Sequence, residues 1–227
     1  MASKPKAVFS FSLWGTNPKY TEGMIQNAKD ISLNFPEAYV YIYITDDVPT
    51  YIQERLALLP NVHILSSPKQ EGSLNLFDRF LAIDDCDIMI VRDADSRIHN
   101  RDISCIHDFL ASTKTLHIIR DHKCHQNRIM GGMWGLRKMR NKPSMKTLID
   151  QWKMRNKRII SYGCDQIFLS VTIYNMYMNS RLVHDRFALY IEESADRVPF
   201  SVPIENNLFV GQVFIYKDGQ EICEFIA

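Results

Sequence analysis

The sequence predicts a single α/β domain in which a sheet is covered by helices. Short runs of β-branched and aromatic residues alternate with amphipathic stretches along the whole chain, a pattern typical of this class. The chain has 227 residues, the size of one large domain, and 46% of them are hydrophobic, which is enough for a sizeable core. No repeat or linker divides the chain, so we expect one domain over residues 1–227, with 197–227 as a C-terminal wrapping segment.

The first half of the chain predicts strands that are each followed by a helix. The strands are expected at residues 7–14, 39–45, 62–65 and 88–91, where the apolar residues are mostly β-branched or aromatic. The first helix is expected from Asn17-Pro18, because Asn is a favoured N-cap and proline is favoured at the first helical position. Further helices are expected at residues 49–58, 73–83 and 100–112.

The second half continues the alternation less regularly. In order, we expect a strand at 116–120, a glycine-containing apolar segment at 129–136, a helix after Pro143, a helix over 165–177 and a short strand ending at 182–185. The tail from residue 197 carries several Pro, Asn and Gly residues among short apolar pieces. We therefore expect a wrapping loop and a small hairpin with its turn at 217–220.

The charge balance argues against a dedicated nucleic-acid-binding domain. Lys and Arg together number 27 and Asp and Glu 26, which gives a net charge of only +1. No apolar run approaches the roughly 18 to 20 residues of a membrane span, and the N-terminus lacks a signal-peptide pattern. We therefore expect a soluble, cytoplasmic protein with no nucleic acid partner and no membrane span.

The cysteines predict free thiols. The five cysteines are an odd number, widely spaced and without a CxxC pair, which is typical of a reducing compartment. One group of possible zinc ligands consists of His117, His122, Cys124 and His125. Its spacing matches no common zinc pattern and a second ligand pair is missing, so we do not expect structural zinc there.

The strongest candidate site is the acidic pair Asp93 and Asp95, which directly follows the apolar run 88–91. Open α/β sheets bind ligands at the carboxyl ends of their strands, and two carboxylates on one turn can face one cation. Hard oxygen ligands suit Mg²⁺ or Mn²⁺, which bridge the phosphates of a nucleotide. Arg92 and Arg97 flank the pair and could balance its charge or reach a phosphate. The alternative is a solvated acidic turn.

The glycine-rich segment 131–135 is a second candidate. Adjacent glycines, among them Gly132, let the backbone approach a ligand closely or form a bulge. Trp134 would either stack on the apolar face of a sugar or belong to the core. Just upstream, Asp121 leaves a strand end and is suited to recognising hydroxyl groups.

Three further residues are candidates with a plain structural alternative. Asp165 precedes an amphipathic helix and on its own fits a helix N-cap. His184 ends a short strand, where it would be a further metal ligand or a satisfied core histidine. Arg79 would point from a helix toward the same region or form a surface ion pair.

Taken together, these segments resemble the small glycosyltransferases encoded by chlorella viruses and their bacterial relatives. The resemblance rests on the segments FSFSLWGTNPKYTEG, RDADSR, RDH, GGMWG, DQIFL and LVHD, and it covers about residues 9–209. The plan is also similar to that of the retaining family 8 transferases. The resemblance implies a GT-A fold, a Rossmann-like nucleotide-diphospho-sugar transferase domain with a mixed central sheet flanked by helices.

The resemblance also implies roles for individual residues. The end of the first strand (Ser12, Leu13, Trp14 and Gly15) would border the nucleobase and ribose of a nucleotide sugar. The turn of Asp93, Ala94 and Asp95 would hold Mn²⁺ or Mg²⁺ against the diphosphate, with His184 completing the metal site. Arg79 would touch the donor. Asp165 and Gln166 would lie near the donor sugar.

The implied activity is transfer of a sugar from a nucleotide sugar, UDP-linked by resemblance, to a hydroxyl of a glycan acceptor. The acceptor could be carried by a viral capsid glycoprotein, in which case the enzyme would work in the host cytoplasm. A retaining route is expected, with Asp165 stabilising positive charge on the sugar ring. An inverting route would need a general base, for which Asp121 or Asp185 could serve.

Two alternatives from other classes stay open. A haloacid-dehalogenase-like phosphatase would use Asp93 as nucleophile within the same Asp-x-Asp pattern, although Arg97 stands where that pattern normally has Thr. A non-catalytic sugar-binding module would keep the fold and Trp134 but would have no need of the intact acidic pair.

Overall fold

The computed structural model describes residues 6–156, 161–217 and 219–224, and it confirms the predicted α/β architecture. The strands of the central sheet are, in chain order, β1 (Ala7–Leu13), β2 (Tyr39–Ile44), β3 (Val62–Ser66), β4 (Ile88–Arg92), β5 (Leu116–Arg120), β6 (Met133–Arg137) and β7 (Arg181–Asp185). Their order across the seven-stranded sheet is β3-β2-β1-β4-β6-β5-β7. The sheet is mixed, because β6 runs antiparallel to both of its neighbours while the other pairs are parallel.

Helices cover both faces of this sheet. The α-helices are α1 (Pro18–Asn34), α2 (Thr50–Ala57), α3 (Asn100–Ala111), α4 (Met145–Arg155), α5 (Cys164–Phe168) and α6 (Tyr174–Tyr177). Successive strand residues face opposite sides of the sheet, so each strand contributes to two cores. Val8 and Met89 pack on one side with Phe77 and Phe168, and Phe9 packs on the other side with α1 and α2.

Two helices differ from the expected regular α-helices. The segment expected at 73–83 is a 3-10 helix, Leu74–Asp84, whose carbonyl groups at Asn75 and Arg79 accept hydrogen bonds from serines of β1. The helix expected over 165–177 begins at Cys164 and contains a π-helical turn, Leu169–Ile173, between α5 and α6. Such turns insert one extra residue into the helical repeat, which periodicity alone does not reveal.

The order of the strands places a crevice at the carboxyl ends of β1 and β4. β1 pairs in parallel with β2 on one side and with β4 on the other, so the chain changes direction across the sheet at β1. Ligands of open α/β sheets bind at such switch points. The antiparallel β6 aligns Met133 with Arg92, which brings the two glycines just before β6 to the end of β4.

Part of the C-terminal segment contacts the turn that follows β4. It ends in a hairpin of β8 (Phe214–Lys217) and β9 (Gln220–Cys223), as expected. The Phe214 N–H donates to the Asp95 carbonyl at 2.8 Å, and Ser96 forms an isolated bridge with Val213. Asp218 of the expected turn lies outside the described residues, as do residues 225–227 of the tail.

Two further observations concern the whole of the described chain. All five cysteines are free thiols, as predicted. Within residues 6–156, 161–217 and 219–224, no helix has both the length and the hydropathy needed to cross a membrane.

Trp134 belongs to the core rather than to a sugar-binding surface. Its side chain in β6 is completely buried, and its ring meets that of Phe80 edge to face with centroids 5.3 Å apart. Stacking on a sugar needs an exposed ring face, so the core alternative is the one that the structure supports.

We predict that Trp134→Ala lowers the free energy of unfolding by about 3–5 kcal/mol, because a large buried ring is replaced by a cavity. Urea unfolding followed by circular dichroism measures this change. Leu33→Ala is the matched control, since Leu33 is 79% exposed and its truncation should change stability by less than about 0.5 kcal/mol. Equal stability of the two variants would contradict the core assignment.

Candidate active site

The candidate site is a pocket at the carboxyl ends of β1 and β4. The structure brings to it most of the residues expected around a donor, and its lining consists of Ser12, Leu13, Trp14, Tyr20, Leu76, Arg79, Asp93, Ala94 and Asp95. The pocket thus joins the end of β1, the 3-10 helix and the turn after β4, which are far apart in the sequence.

The serines at the end of β1 fix the neighbouring 3-10 helix. The Ser12 hydroxyl donates to the Asn75 carbonyl at 2.7 Å and accepts from the Arg79 N–H at 3.2 Å. The Ser10 hydroxyl donates to the Arg79 carbonyl at 2.6 Å. Both hydroxyls bind backbone groups at or near Arg79. They therefore fix the position of the Arg79 backbone, from which its side chain extends into the site. Gly15 continues the strand end with φ +74°, and its N–H donates to Asp47 Oδ1.

Arg79 links two carboxylates that come from different parts of the fold. Its side chain is only 3% exposed. Nη1 pairs with Asp93, and Nη2 lies 3.3 Å from Asp165 Oδ2. A buried guanidinium is costly unless it is paired, so Arg79 holds both carboxylates near itself. The alternative of a surface ion pair is therefore wrong for Arg79.

The two members of the acidic pair have different surroundings. The Asp93 side chain is 42% exposed, and that of Asp95 is 14% exposed and lies 3.1 Å from Lys19 Nζ. Burial, together with the nearby charge of Asp93, raises the pKa of Asp95 above its ordinary value, and Lys19 opposes that shift. Asn27 in α1 steadies the turn itself, because its Nδ2 donates to the Ala94 and Ser96 carbonyls at 3.3 and 2.9 Å.

The two adjacent glycines lie so close to the carboxylates that a side chain at either position would displace neighbouring side chains. A Cβ at Gly132 would overlap the carboxylate of Asp93. A Cβ at Gly131 would lie 2.7 Å from Asp165 Oδ2, closer than real Cβ atoms approach other groups, and 3.0 Å from Arg79 Nη2, which is a tight contact. The backbone of this segment therefore passes directly beside the carboxylates. Close approach of the backbone is one of the two explanations that the sequence offered for adjacent glycines, the other being a bulge.

Asp165 is buried in this network and is not the N-cap of its helix. The N-cap of α5 is Gly163 with φ +83°, which places Asp165 within the first turn. Its Oδ2 faces Arg79, whereas its Oδ1 is buried and has no hydrogen-bond partner within the described part of the chain. Burial raises the pKa of Asp165, and the charge of Arg79 opposes that rise. The next residue, Gln166, accepts a hydrogen bond from Asn127 Nδ2 at 2.7 Å.

His184 does not join the acidic pair, contrary to the expectation that it completes a metal site. It lies on β7, which β6 and β5 separate from β4 in the sheet. Its Nδ1 is 3.0 Å from His117 Nε2, and its Nε2 is 3.2 Å from Asp108 Oδ2. Burial lowers the pKa of both histidines. His184 is therefore a core histidine whose two ring nitrogens already have partners, which is the alternative that the sequence left open.

Asp121 is likewise committed elsewhere. Its carboxylate is fully buried, pairs with Arg101 through two bonds of 2.7 Å, and accepts from the Val210 N–H at 2.9 Å. Asp185, the other candidate base, binds Arg120 at 3.0 Å and caps the three backbone N–H groups of Phe187, Ala188 and Leu189. Both carboxylates are buried and paired with an arginine, which does not suit them to act as a general base.

The possible zinc ligands do not converge on one point. His117 pairs with His184, as described above. The rings of His122 and His125 instead pack against Phe209, with centroids 4.2 and 5.6 Å away. Cys124 is exposed.

The acidic pair fits a divalent cation that is shared with a ligand. Among the described residues, no group of three or more histidine, cysteine or carboxylate side chains is arranged to hold a metal ion. Mg²⁺ is usually bound by one or two carboxylates together with substrate phosphates and water, rather than by a complete protein cage. The oxygen donors of Asp93 and Asp95, which both line the pocket at the end of β4, suit an ion held in that way.

Sequence reasoning missed two residues that shape this site, Lys19 and Asn27. Asn27 carried a usable signal, because it falls on the same helical face as Met24 and Ile31, and a polar side chain on a buried face needs partners. Lys19 carried none, since a lysine in the first turn of a helix has no expected target until the acidic turn is placed beside it.

Comparison with known proteins identifies the fold. No protein-family model and no curated protein sequence matches the chain. Among solved structures, the chain is similar to the galactosyltransferase LgtC in complex with donor and acceptor sugar analogues, with 12% identity and a TM-score of 0.54 over 78% of this chain and 72% of that one. It is similar to a glycosyltransferase involved in the glycosylation of the major capsid of PBCV-1, with 13% identity and a TM-score of 0.53 over 80% of this chain and 82% of that one.

A third similar structure is the mannosyltransferase PcManGT from Pyrobaculum calidifontis in complex with GDP-Man and Mn²⁺. Its identity is 11% and its TM-score 0.51, over 90% of this chain and 59% of that one. Because the sequence identities are this low, the structural likenesses show a common fold and do not carry the activity of these proteins over to this chain. The mixed sheet, its strand order and these likenesses together show that the chain has the GT-A fold that the sequence predicts.

Proposed function

We propose that this protein is a metal-dependent glycosyltransferase that moves a sugar from a nucleoside diphosphate sugar to a hydroxyl of a glycan. One observation carries the proposal: the acidic pair Asp93 and Asp95 lies at the switch point of a GT-A sheet and is joined through Arg79 to the buried carboxylate of Asp165. This arrangement offers oxygen ligands for a cation and a second negative charge a short distance away.

Asp93 and Asp95 would hold Mn²⁺ or Mg²⁺ against the diphosphate of the donor. A divalent cation supplies Lewis-acid stabilisation of the negative charge that develops on the leaving diphosphate. Asp93 is the more exposed of the two carboxylates, so it is the more accessible ligand. The strand end from Ser12 to Gly15 would border the nucleobase and ribose on the other side of the pocket.

Asp165 would serve the sugar end of the donor. Breaking a sugar–phosphate bond leaves positive charge on the ring, and a buried carboxylate stabilises that charge strongly because little water screens it. Arg79 holds Oδ2 of this carboxylate, so Oδ1, which is buried and has no hydrogen-bond partner among the described residues, would be the atom that accepts a sugar hydroxyl or faces the ring once the donor is bound. Gln166 lies next to it and would contact the same sugar.

We propose a retaining route. Inversion needs a general base on the face opposite the leaving group. The two candidates from the sequence, Asp121 and Asp185, are occupied by arginines and backbone N–H groups, and this supports a mechanism that does not use them. In a retaining route the acceptor hydroxyl attacks on the face from which the diphosphate leaves.

The donor we propose is a UDP-sugar, by the resemblance in the sequence. GDP-linked sugars belong in the same test, because the similar mannosyltransferase was solved with GDP-Man. For the acceptor we propose a hydroxyl of a growing glycan. The capsid glycosylation attributed to one similar structure makes a viral capsid glycoprotein the first acceptor to examine.

We predict that the purified protein releases nucleoside diphosphate from one donor in a panel of UDP- and GDP-sugars when Mn²⁺ is present, and that EDTA abolishes the release. Asp93→Asn and Asp95→Asn should each lower the rate by about 100-fold or more, because each removes a charged oxygen ligand from the cation. Asp150→Asn is the control, since Asp150 is an exposed carboxylate on α4 that pairs with Lys146. Metal-independent release, or equal rates in all variants, would contradict the proposal.

We also predict different consequences for two buried aspartates. Asp165→Asn should lower kcat by about 100-fold while the affinity for the nucleoside diphosphate with Mn²⁺ stays within about threefold, because Asp165 serves the sugar. Asp121→Asn should instead lower the free energy of unfolding by about 3–5 kcal/mol, because it leaves the buried Arg101 without its partner. Thermal unfolding and initial rates per folded molecule separate the two, and the reverse pattern would make Asp121 the catalytic residue.

The stereochemical course gives an independent prediction. Proton NMR of the first product formed should show the anomeric configuration of the donor, because the route proposed is retaining. An inverted product would require a general base and would contradict the retaining route.

A further inference from the structure

Lys19 lies at the second position of α1, beside the acidic turn. Its Nζ is 3.1 Å from Asp95 Oδ2 and 3.8 Å from Glu224 Oε2, and its side chain is 22% exposed. The backbone is fixed, because α1 begins at Pro18 and the N-cap side chain of Asn17 accepts from the Lys19 N–H. The four-carbon side chain beyond it has rotatable bonds that let the ammonium group change partners.

Two cations of different mobility neutralise the acidic pair. Arg79 holds Asp93, and its nearly buried side chain is also bound to Asp165 and to the Arg92 carbonyl. Lys19 holds Asp95, is partly exposed, and contacts carboxylates only of the turn and the C-terminal segment among the ion pairs of the described residues. Of these two cations, Lys19 is therefore the one that can leave its carboxylate.

A divalent cation and Lys19 compete for the same carboxylate of Asp95. A nucleoside diphosphate brings several negative charges to the place where that competition occurs, and its phosphate oxygens accept strong hydrogen bonds from an ammonium group. The ammonium displaced from Asp95 thus finds a new anionic partner close to the one that it lost. Without a bound diphosphate, displacing the Lys19 ammonium from Asp95 would break an ion pair and form no new one.

We propose that Lys19 is a diphosphate-binding residue of the donor site, which pairs with Asp95 before the donor binds and moves to the diphosphate when a divalent cation takes that carboxylate. The inference rests on the function proposed above. It requires opposite effects on two ligands: Lys19 opposes binding of the cation alone and favours binding of the nucleoside diphosphate together with the cation. A residue that only stabilised the fold would affect both in the same direction.

The test compares the wild-type chain with Lys19→Met, Lys19→Arg and Lys29→Met. Electron paramagnetic resonance of free Mn²⁺ gives the affinity for the cation alone, and calorimetry in saturating Mn²⁺ gives the affinities for UDP and GDP. Lys29→Met is the matched control, because it removes one positive charge from an exposed position of the same helix. Thermal unfolding of each variant confirms that it is folded at the temperature of the titrations.

We expect Lys19→Met to bind Mn²⁺ alone about threefold more tightly, because a competitor for Asp95 is gone. The same variant should bind the preferred nucleoside diphosphate about tenfold more weakly in saturating Mn²⁺, the usual effect of losing one charged hydrogen bond. Lys19→Arg should recover most of the nucleotide affinity, and Lys29→Met should match the wild type in both measurements.

Two results would overturn the role of Lys19 alone. These are an unchanged nucleotide affinity in Lys19→Met, and parallel losses of affinity for Mn²⁺ and for the nucleotide. In either case the proposed function stands, provided that the wild type binds UDP or GDP with Mn²⁺. A wild-type chain that binds neither nucleotide in Mn²⁺ would overturn the proposed function, and the role of Lys19 with it.

Discussion

The buried guanidinium of Arg79 is the interaction on which the candidate site depends. From the 3-10 helix between β3 and β4 it reaches Asp93, just after β4, and Asp165, in α5. A charge removed from water costs several kcal/mol unless it is paired, so movement of either carboxylate away from Arg79 is opposed by that cost. The acidic turn and the buried carboxylate are thereby kept at a fixed separation, which is what a donor with a charged diphosphate and a reacting sugar ring requires.

The sheet makes this network possible by where it places β6. The antiparallel strand sets Met133 opposite Arg92, so the two residues before it pass beside the carboxylates. A Cβ would overlap the Asp93 carboxylate at one position and lie 2.7 Å from Asp165 Oδ2 at the other, so a larger residue would force these side chains to move. Neither glycine has a positive φ, so the requirement is one of space and not of backbone conformation. The antiparallel pairing of β6 with β4 thus also brings the glycine segment close to the carboxylates of Asp93 and Asp165.

The sequence predicted six of the seven strands of the central sheet, the fold class and the place of the acidic pair, because periodicity and the rule about strand ends are local signals. It did not identify β6 as a strand, only as an apolar segment that contains glycines. It failed where an answer depended on contacts between distant segments. His184 follows an apolar run just as Asp93 does, but β7 lies at the sheet edge and pairs it with His117. Asp121 also follows a strand, but it forms a buried ion pair with Arg101 of α3. Lys19 matters only through a turn more than seventy residues away, which no pattern within its own helix could indicate.

A crystal structure of the protein with Mn²⁺ and UDP tests the central claim most directly, since anomalous scattering locates the metal independently of the rest of the map. We predict one manganese peak at about 2.0–2.3 Å from carboxylate oxygens of Asp93 and Asp95, with the diphosphate against it and the base beyond Trp14. A peak at His184 or at the pair of His122 and His125, or a nucleotide bound away from the end of β4, would contradict that claim.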